Sequence, residues 1–222
     1  NASRTTILLV GANDGMLHAF RESDGEELWA FIPPNNLTGL VNLTTTSGAH
    51  PYYVDASPVV TDIKIGSTWK TVVVFGQRRG GNAYYALDIT NTSSPAYLWG
   101  FTDSELGETW SEPAIGQIKM SDNSKKDVAF VGGGYNTANN NATGRAMFVI
   151  DLATGAKLWQ YKTGSTNDTS FMKFSIPATP TPVDLTGDGL IDRVYVGDVG
   201  GQIWKFDVSA GGSPLTGLVT NW

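Results

Sequence analysis

Four times along the chain an apolar run closes on glycine: Ile7-Leu8-Leu9-Val10-Gly11, Val72-Val73-Val74-Phe75-Gly76, Val128-Ala129-Phe130-Val131-Gly132 and Val194-Tyr195-Val196-Gly197. The glycines stand 65, 56 and 65 residues apart. After each comes an alternating run, Met16-Leu17-His18-Ala19-Phe20-Arg21, Ala83-Tyr84-Tyr85-Ala86-Leu87-Asp88, Met147-Phe148-Val149-Ile150-Asp151 and Gln202-Ile203-Trp204-Lys205-Phe206-Asp207. Three copies then reach a Leu-Trp pair, at Leu28-Trp29, Leu98-Trp99 and Leu158-Trp159, and three are preceded by a proline-led strand at Pro58, Pro113 and Pro182. Proline is tolerated at the start of a strand, where the ladder can lose a donor.

One unit therefore reads as four short strands: A after proline, B apolar, C ending in Asp and D carrying Trp. Four antiparallel strands repeated every 56 to 65 residues describe a propeller blade. A continuous apolar strand B suits burial on both faces, and the Trp of strand D suits packing between blades. The fold class is all-β, a β-propeller of about three and a half four-stranded blades, because the first copy lacks strand A and the last lacks strand D. The blades fall at residues 1–32, 54–101, 110–161 and 178–208 of a single domain spanning 1–222. An open arc leaves sheet edges unpaired, so the expected setting is part of a larger ring. A complete four-bladed ring is the other arrangement, but residues 209–222 show no closing strand. Residues 33–53 and 133–144 interrupt the pattern as polar, turn-rich insertions expected to be exposed loops.

Composition excludes several classes. The formal net charge is -6, with no clustered Lys and Arg, so nucleic acid is not an expected partner. No apolar run approaches the roughly 20 residues of a membrane span, and the start of the chain lacks a basic-then-apolar signal. The chain is expected to be soluble, with any export signal outside it. Cysteine is absent, which removes disulfides, thiolate zinc sites and a cysteine nucleophile. Asn-x-Ser/Thr triplets at Asn1, Asn36, Asn42, Asn91, Asn141 and Asn167 are a chance expectation in a chain this rich in Asn, Ser and Thr.

One segment carries chemistry. In Asp184-Leu185-Thr186-Gly187-Asp188-Gly189-Leu190-Ile191-Asp192, side-chain oxygens occupy positions 1, 3, 5 and 9, with glycine at 6. That is the opening of an EF-hand-type loop, in which alternate oxygens turn inward and glycine permits the sharp bend. Asp184, Thr186, Asp188, Asp192 and the Leu190 carbonyl would supply most of the six to eight hard oxygens that Ca²⁺ takes. A plain Asp-Gly turn is the competing reading. The corresponding connections at residues 62–67 and 121–126 lack spaced acids and carry lysines. A turn does not need clustered like charges, which repel without a cation.

Other polar residues point away from catalysis. Asp88, Asp151 and Asp207 recur at strand ends, as turn caps would. His18 and His50 lack a nucleophile-elbow or His-Glu-x-x-His context, and His18 is expected to serve packing. Gly80-Gly81 and Gly132-Gly133-Gly134 lack the helix and lysine of a phosphate cradle. Arg78-Arg79 reads as a solvated turn, with a small anion-binding spot as the alternative.

Four segments then carry a resemblance: Val10-Gly11-Ala12-Asn13-Asp14-Gly15-Met16-Leu17-His18-Ala19-Phe20, Tyr52-Tyr53-Val54-Asp55-Ala56-Ser57-Pro58, Gly132-Gly133-Gly134-Tyr135-Asn136, and residues 181–207 with the acidic loop. Together they resemble the C-terminal propeller of the PilC/PilY family of type IV pilus-associated proteins. The resemblance implies a non-enzymatic, secreted or cell-surface protein at the bacterial outer membrane or pilus tip. It implies promotion of pilus extension or opposition to retraction, tip adhesion, minor pilins and a host or surface receptor as partners, and calcium as a regulator. By position the family's calcium ligands fall on Asp184, Thr186, Asp188, Asp192 and the Leu190 backbone. Thr186 departs from the family's usual Asp. No Arg-Gly-Asp triplet is present.

The turn Asp151-Leu152-Ala153-Thr154-Gly155-Ala156-Lys157-Leu158-Trp159 is also similar to quinoprotein dehydrogenases that hold pyrroloquinoline quinone, which makes such an enzyme the main rival. Those enzymes use a fuller ring and often vicinal cysteines. A purely structural propeller displaying loops is the third reading.

Overall fold

A computed structural model describes residues 4–45, 48, 50–136, 141–164 and 170–209. Asn1, Asn167, the Asn139-Asn140 part of the asparagine run and residues 210–222 lie outside the described residues. The strands are β1 (Ile7–Gly11), β2 (Leu17–Arg21), β3 (Glu27–Phe31), β4 (Val59–Ile65), β5 (Thr68–Phe75), β6 (Tyr84–Asp88) and β7 (Ala96–Phe101). They continue with β8 (Ala114–Lys119), β9 (Lys125–Gly132), β10 (Ala146–Asp151), β11 (Lys157–Lys162), β12 (Thr181–Val183), β13 (Arg193–Gly197) and β14 (Ile203–Asp207). They form four antiparallel meanders, β1-β2-β3, β4-β5-β6-β7, β8-β9-β10-β11 and β12-β13-β14. The propeller reading of the repeat holds, with the first sheet lacking its A strand and the last its D strand among the described residues.

The period of two explains how the sheets stack. In β5, Val72 and Val74 pack with Ala129, Val131, Phe148 and Ile150 of the third sheet, while Val73 and Phe75 face Leu17 of the first. In the third sheet, Val128, Phe130, Met147 and Val149 turn the other way, onto Val194, Val196, Trp204 and Phe206 of the fourth. In the second and third sheets strands B and C are therefore apolar at successive positions because each face meets a neighbouring sheet, whereas β1 and β14 alternate, leaving Leu8, Val10 and Ile203 exposed. Burying one such side chain is worth about 1.5–3 kcal/mol, so the stacking carries most of the favourable energy.

The Leu-Trp signature has a specific cause. In each of the first three sheets the C-to-D ladder slips by one residue, between Ala19/Phe20, Ala86/Leu87 and Val149/Ile150. Trp29 faces Ala19 and Glu27 faces Phe20, so Leu28 is the extra residue of a bulge. Leu98 and Leu158 are placed alike. A bulge re-aims the side chains beside it. The indole N–H of Trp29 donates to the Thr92 carbonyl at 2.8 Å, and that of Trp99 to the Leu152 carbonyl at 2.8 Å, each across to the next sheet. The Trp159 ring meets Phe206 edge-on at 5.6 Å.

The strand-end aspartates cap turns and pair with cations. Asp88 accepts from the Thr90 N–H and pairs with Lys70, and Asp151 accepts from Ala153 and Thr154 and pairs with Lys126. Asp207 accepts from Ser209 and pairs with Arg193. Burial opposes the charge of Asp88, yet Lys70 and Thr90 outweigh it and hold its pKa below the usual carboxylate value. In the first sheet the sign is reversed: Arg21 ends β2 and pairs with Asp24 and Glu26.

The first insertion is mostly exposed, as its polarity suggests, yet both insertions are tied into the propeller at particular residues. Residues 33–53 hold short 3-10 turns at Pro34–Asn36 and Leu40–Thr44, and Asn36 is buried, donating to the Gly15 carbonyl and accepting from the Gln77 side chain. The ends of 133–144 are built in as well, with the Gly133 N–H on the Ala146 carbonyl and the Gly134 N–H on the Ile176 carbonyl. Polar residues sit inside here because each finds a partner, which removes the cost of burying them.

Candidate functional site

The A-to-B connections can be compared directly. In the second sheet Ile65 pairs with Thr68, so only Gly66 and Ser67 turn the chain, and the residues from Asp62 to Ile65 are strand rather than turn. In the third, Lys119 pairs with Lys125, and the stretch between is closed by Met120 N–H to the Ser124 carbonyl. In the fourth, Val183 pairs with Arg193, and residues 184–192 stand outside the ladder, closed by the Asp192 N–H on the Val183 carbonyl at 3.0 Å.

This loop is wound around the Asp184 carboxylate. Oδ1 accepts from the N–H of Thr186 at 3.1 Å and of Gly187 at 2.7 Å, and Oδ2 from the N–H of Gly189 at 2.8 Å. The Gly189 N–H leads in holding the Asp184 pKa below the ordinary carboxylate value, helped by Gly187, Thr186 and Asp188. Gly189 has φ +84°, a left-handed bend that glycine takes without strain. Asp192 returns from the far end: Oδ2 accepts from the N–H of Leu185 at 2.7 Å and of Thr186 at 3.1 Å. The Thr186 hydroxyl lies 3.4 Å from both Asp184 Oδ1 and Asp192 Oδ2.

Asp184, Thr186 and Asp192 are thus brought together. Asp188 is not: its Oδ1 caps its own turn, accepting from the Leu190 N–H at 2.9 Å. Among the described residues no three His, Cys, Asp or Glu side chains stand together in a metal-holding group. The donor set is nonetheless one of hard oxygens, with two carboxylates meeting at one hydroxyl. These residues fit a hard divalent cation by chemistry.

The loop is also seated on the neighbouring sheet. The Ile191 N–H donates to the Gln117 carbonyl of β8 at 2.8 Å, and Ile191 covers Gly116, where a Cβ would stand 2.6 Å from Ile191 Cγ1.

Sequence reasoning missed two groupings. His18 packs as expected, stacked on Phe20 at 5.9 Å, but it also pairs with two carboxylates. Leu17 and Ala19 face the core, so His18 takes the other face, where Nε2 meets Asp14 Oδ2 and Nδ1 meets Glu27 Oε1, both at 2.9 Å. Partial burial disfavours the charged ring, but Glu27 and Asp14 outweigh it and raise the His18 pKa. The alternation of β2 was the available signal for that orientation. The second grouping lies in the turn after β5, where Arg78 and Arg79 lie over the rings of Trp110 and Tyr52. No local spacing announces either contact.

Comparison with known proteins agrees with this architecture. The PilY1 beta-propeller domain family matches residues 1–214. A type IV pilus biogenesis factor PilY1 from Pseudomonas aeruginosa is 36% identical over 216 residues, covering 94% of this chain and 18% of the relative. A PilY1 homolog from Xylella fastidiosa is 35% identical over 216 residues, covering 94% of this chain and 16% of the relative. The crystal structure of the Pseudomonas aeruginosa PilY1 C-terminal domain aligns with TM-score 0.68 and 33% identity, over 93% of this chain and 39% of that one. The chain thus spans less than a fifth of the length of these curated relatives.

Proposed function

The chain belongs to the PilY1 β-propeller family, and from that premise we propose that it serves type IV pilus biogenesis as a calcium-dependent surface propeller. It acts at the cell surface or pilus tip, engages minor pilins, favours extension over retraction and presents an adhesive surface to a host or abiotic receptor. The observation that carries this reading is the family match across residues 1–214, which takes in the oxygen-rich loop at 184–192. No helix among the described residues is long and apolar enough to cross a membrane.

Calcium would be held by the carboxylates of Asp184, Asp188 and Asp192, the Thr186 hydroxyl and the Leu190 carbonyl. The ion would supply charge neutralisation between acids. The chain's own part is orientation: Asp184 is fixed by backbone N–H groups before any ion arrives, and Asp192 is fixed by Leu185 and Thr186. A ligand that binds the folded state stabilises it by mass action, so chelation should lower the melting temperature.

Two measurements test the proposal separately. Deleting the encoding gene should abolish surface pili or twitching, and unchanged piliation would refute the pilus role. Calorimetry with calcium and then EGTA addresses the ion. If chelation leaves melting unchanged and Asp188→Ala is silent, the calcium assignment fails while the pilus role stands on its own test.

A further inference from the structure

Residues 76–81, between β5 and β6, are fixed from three sides. The Thr109 hydroxyl oxygen accepts from the Gln77 N–H at 2.7 Å and the Arg78 N–H at 3.1 Å, and the Thr109 N–H donates to the Gly81 carbonyl at 3.0 Å. On the other flank a Cβ at Gly80 would stand 1.8 Å from the Tyr53 carbonyl oxygen, so only glycine fits. Beneath, the Gln77 side chain is fully buried and bonded to Asn35 and Asn36 of the first insertion. The backbone at Arg78 is held at φ +48°, a conformation that costs a non-glycine residue energy and persists only when its surroundings enforce it.

On this rigid loop two arginines are displayed unusually. The Arg78 guanidinium lies 4.6 Å from the centre of the Trp110 ring, and that of Arg79 lies 4.7 Å from the Tyr52 ring. Trp110 is itself steadied by its N–H to Glu108 at 2.9 Å. A guanidinium held over a ring face leaves N–H donors for another partner. Neither arginine forms an ion pair among the described residues; cations such as Arg4, Lys64 and Lys119 share that, and what sets Arg78 and Arg79 apart from them is the aromatic ring beneath each. Acids are not scarce, at 21 against 15 Lys and Arg.

We propose that Arg78 and Arg79, backed by Trp110 and Tyr52, form a docking surface for an acidic polypeptide segment whose Asp or Glu carboxylates pair with the two guanidinium edges. Arginine and aromatic side chains on a fixed backbone are the composition of protein hot spots, and a guanidinium matches a carboxylate bidentately. A net charge of -6 opposes dense polyanions, so a segment with discrete carboxylates fits better than a nucleic acid.

Fluorescence anisotropy tests this with a labelled ten-residue peptide alternating Glu and Gly, its Gln counterpart, and a single-stranded DNA ten-mer. The acidic peptide should bind saturably, more tightly than the other two, and more weakly as salt rises. Arg79→Ala, at an exposed side chain, should weaken it at least fivefold without moving the melting temperature. Arg78→Lys keeps the charge but loses the fork, and should weaken it too. Absence of saturable binding, equal affinity in Arg79→Ala, or preference for the Gln peptide or the DNA would overturn the proposal.

Discussion

The second and fourth sheets solve the same connection in opposite ways. Between β4 and β5 seven residue pairs are laddered, from Val59 with Val74 to Ile65 with Thr68, and two residues reverse the chain. Between β12 and β13 only three pairs form, and nine residues lie outside the ladder. Main-chain hydrogen bonds given up by the shorter ladder reappear inside the loop as N–H groups bonded to the carboxylates of Asp184 and Asp192. The long connection is therefore hydrogen-bonded throughout much of its length, but through carboxylate charge. The short turn depends only on the backbone.

Replacing residues 184–192 by Gly-Ser, on the pattern of the second sheet, should break the contrast most completely. It removes Ile191 from its seat on Gly116 as well as every acid. The expected loss is about 2 kcal/mol, the low end of the range for truncating a large core aliphatic because Ile191 is only partly buried, read by denaturant unfolding. Calcium and EGTA should then make no difference. A variant as stable as the parent would show that the loop's packing on β8 is incidental.

Gly116→Val isolates that packing. Its Cβ would meet Ile191 Cγ1 at 2.6 Å and Phe130 Cε2 at 3.3 Å, and overpacking of this kind costs about 1–3 kcal/mol. Adding Ile191→Ala should restore part of the loss, because the two sites touch and their effects are not additive. Simple addition of the two costs would mean that Ile191 is not what Gly116 accommodates.

How much of this was readable beforehand follows from range. The strands were legible because burial on both faces writes itself as a continuous apolar run, as in Val72 to Phe75, and because the Leu-Trp bulge recurs. The acids of the loop were legible because their spacing is local. The division among them was not: Asp188 turns to Leu190 while Asp184 and Asp192 converge on Thr186, which depends on how the loop folds back. His18 with Glu27, Arg78 with Trp110, and Asn36 with Gln77 are contacts made by register and turn geometry between distant residues. No single-residue signal carries them.

Asp192→Asn separates charge from hydrogen bonding in the loop. The amide oxygen can still accept from Leu185 and Thr186, so stability in EGTA should change little. Calcium affinity should fall by roughly tenfold, or about 1.4 kcal/mol, since charge count tunes such sites. Titration calorimetry on the two proteins reads it directly, and an unchanged affinity would remove Asp192 from the ligand set.

The smallest effect expected is acid melting of the loop without calcium. A carboxylate whose pKa is depressed on folding contributes stability that is present above its unfolded pKa and lost as pH falls through the folded one. Asp184 is such a group, with the Gly189 N–H as the leading cause. As it protonates, the N–H groups of Gly187 and Gly189 lose their charged acceptor and should exchange faster with solvent. Those of Thr68 and Val72 in the second sheet, paired only to backbone, should not change over the same window. Amide exchange by NMR from neutral pH to below the ordinary carboxylate range tests this. A loop that loosens no sooner than the Gly66-Ser67 turn would mean that backbone geometry, not the Asp184 charge, holds it.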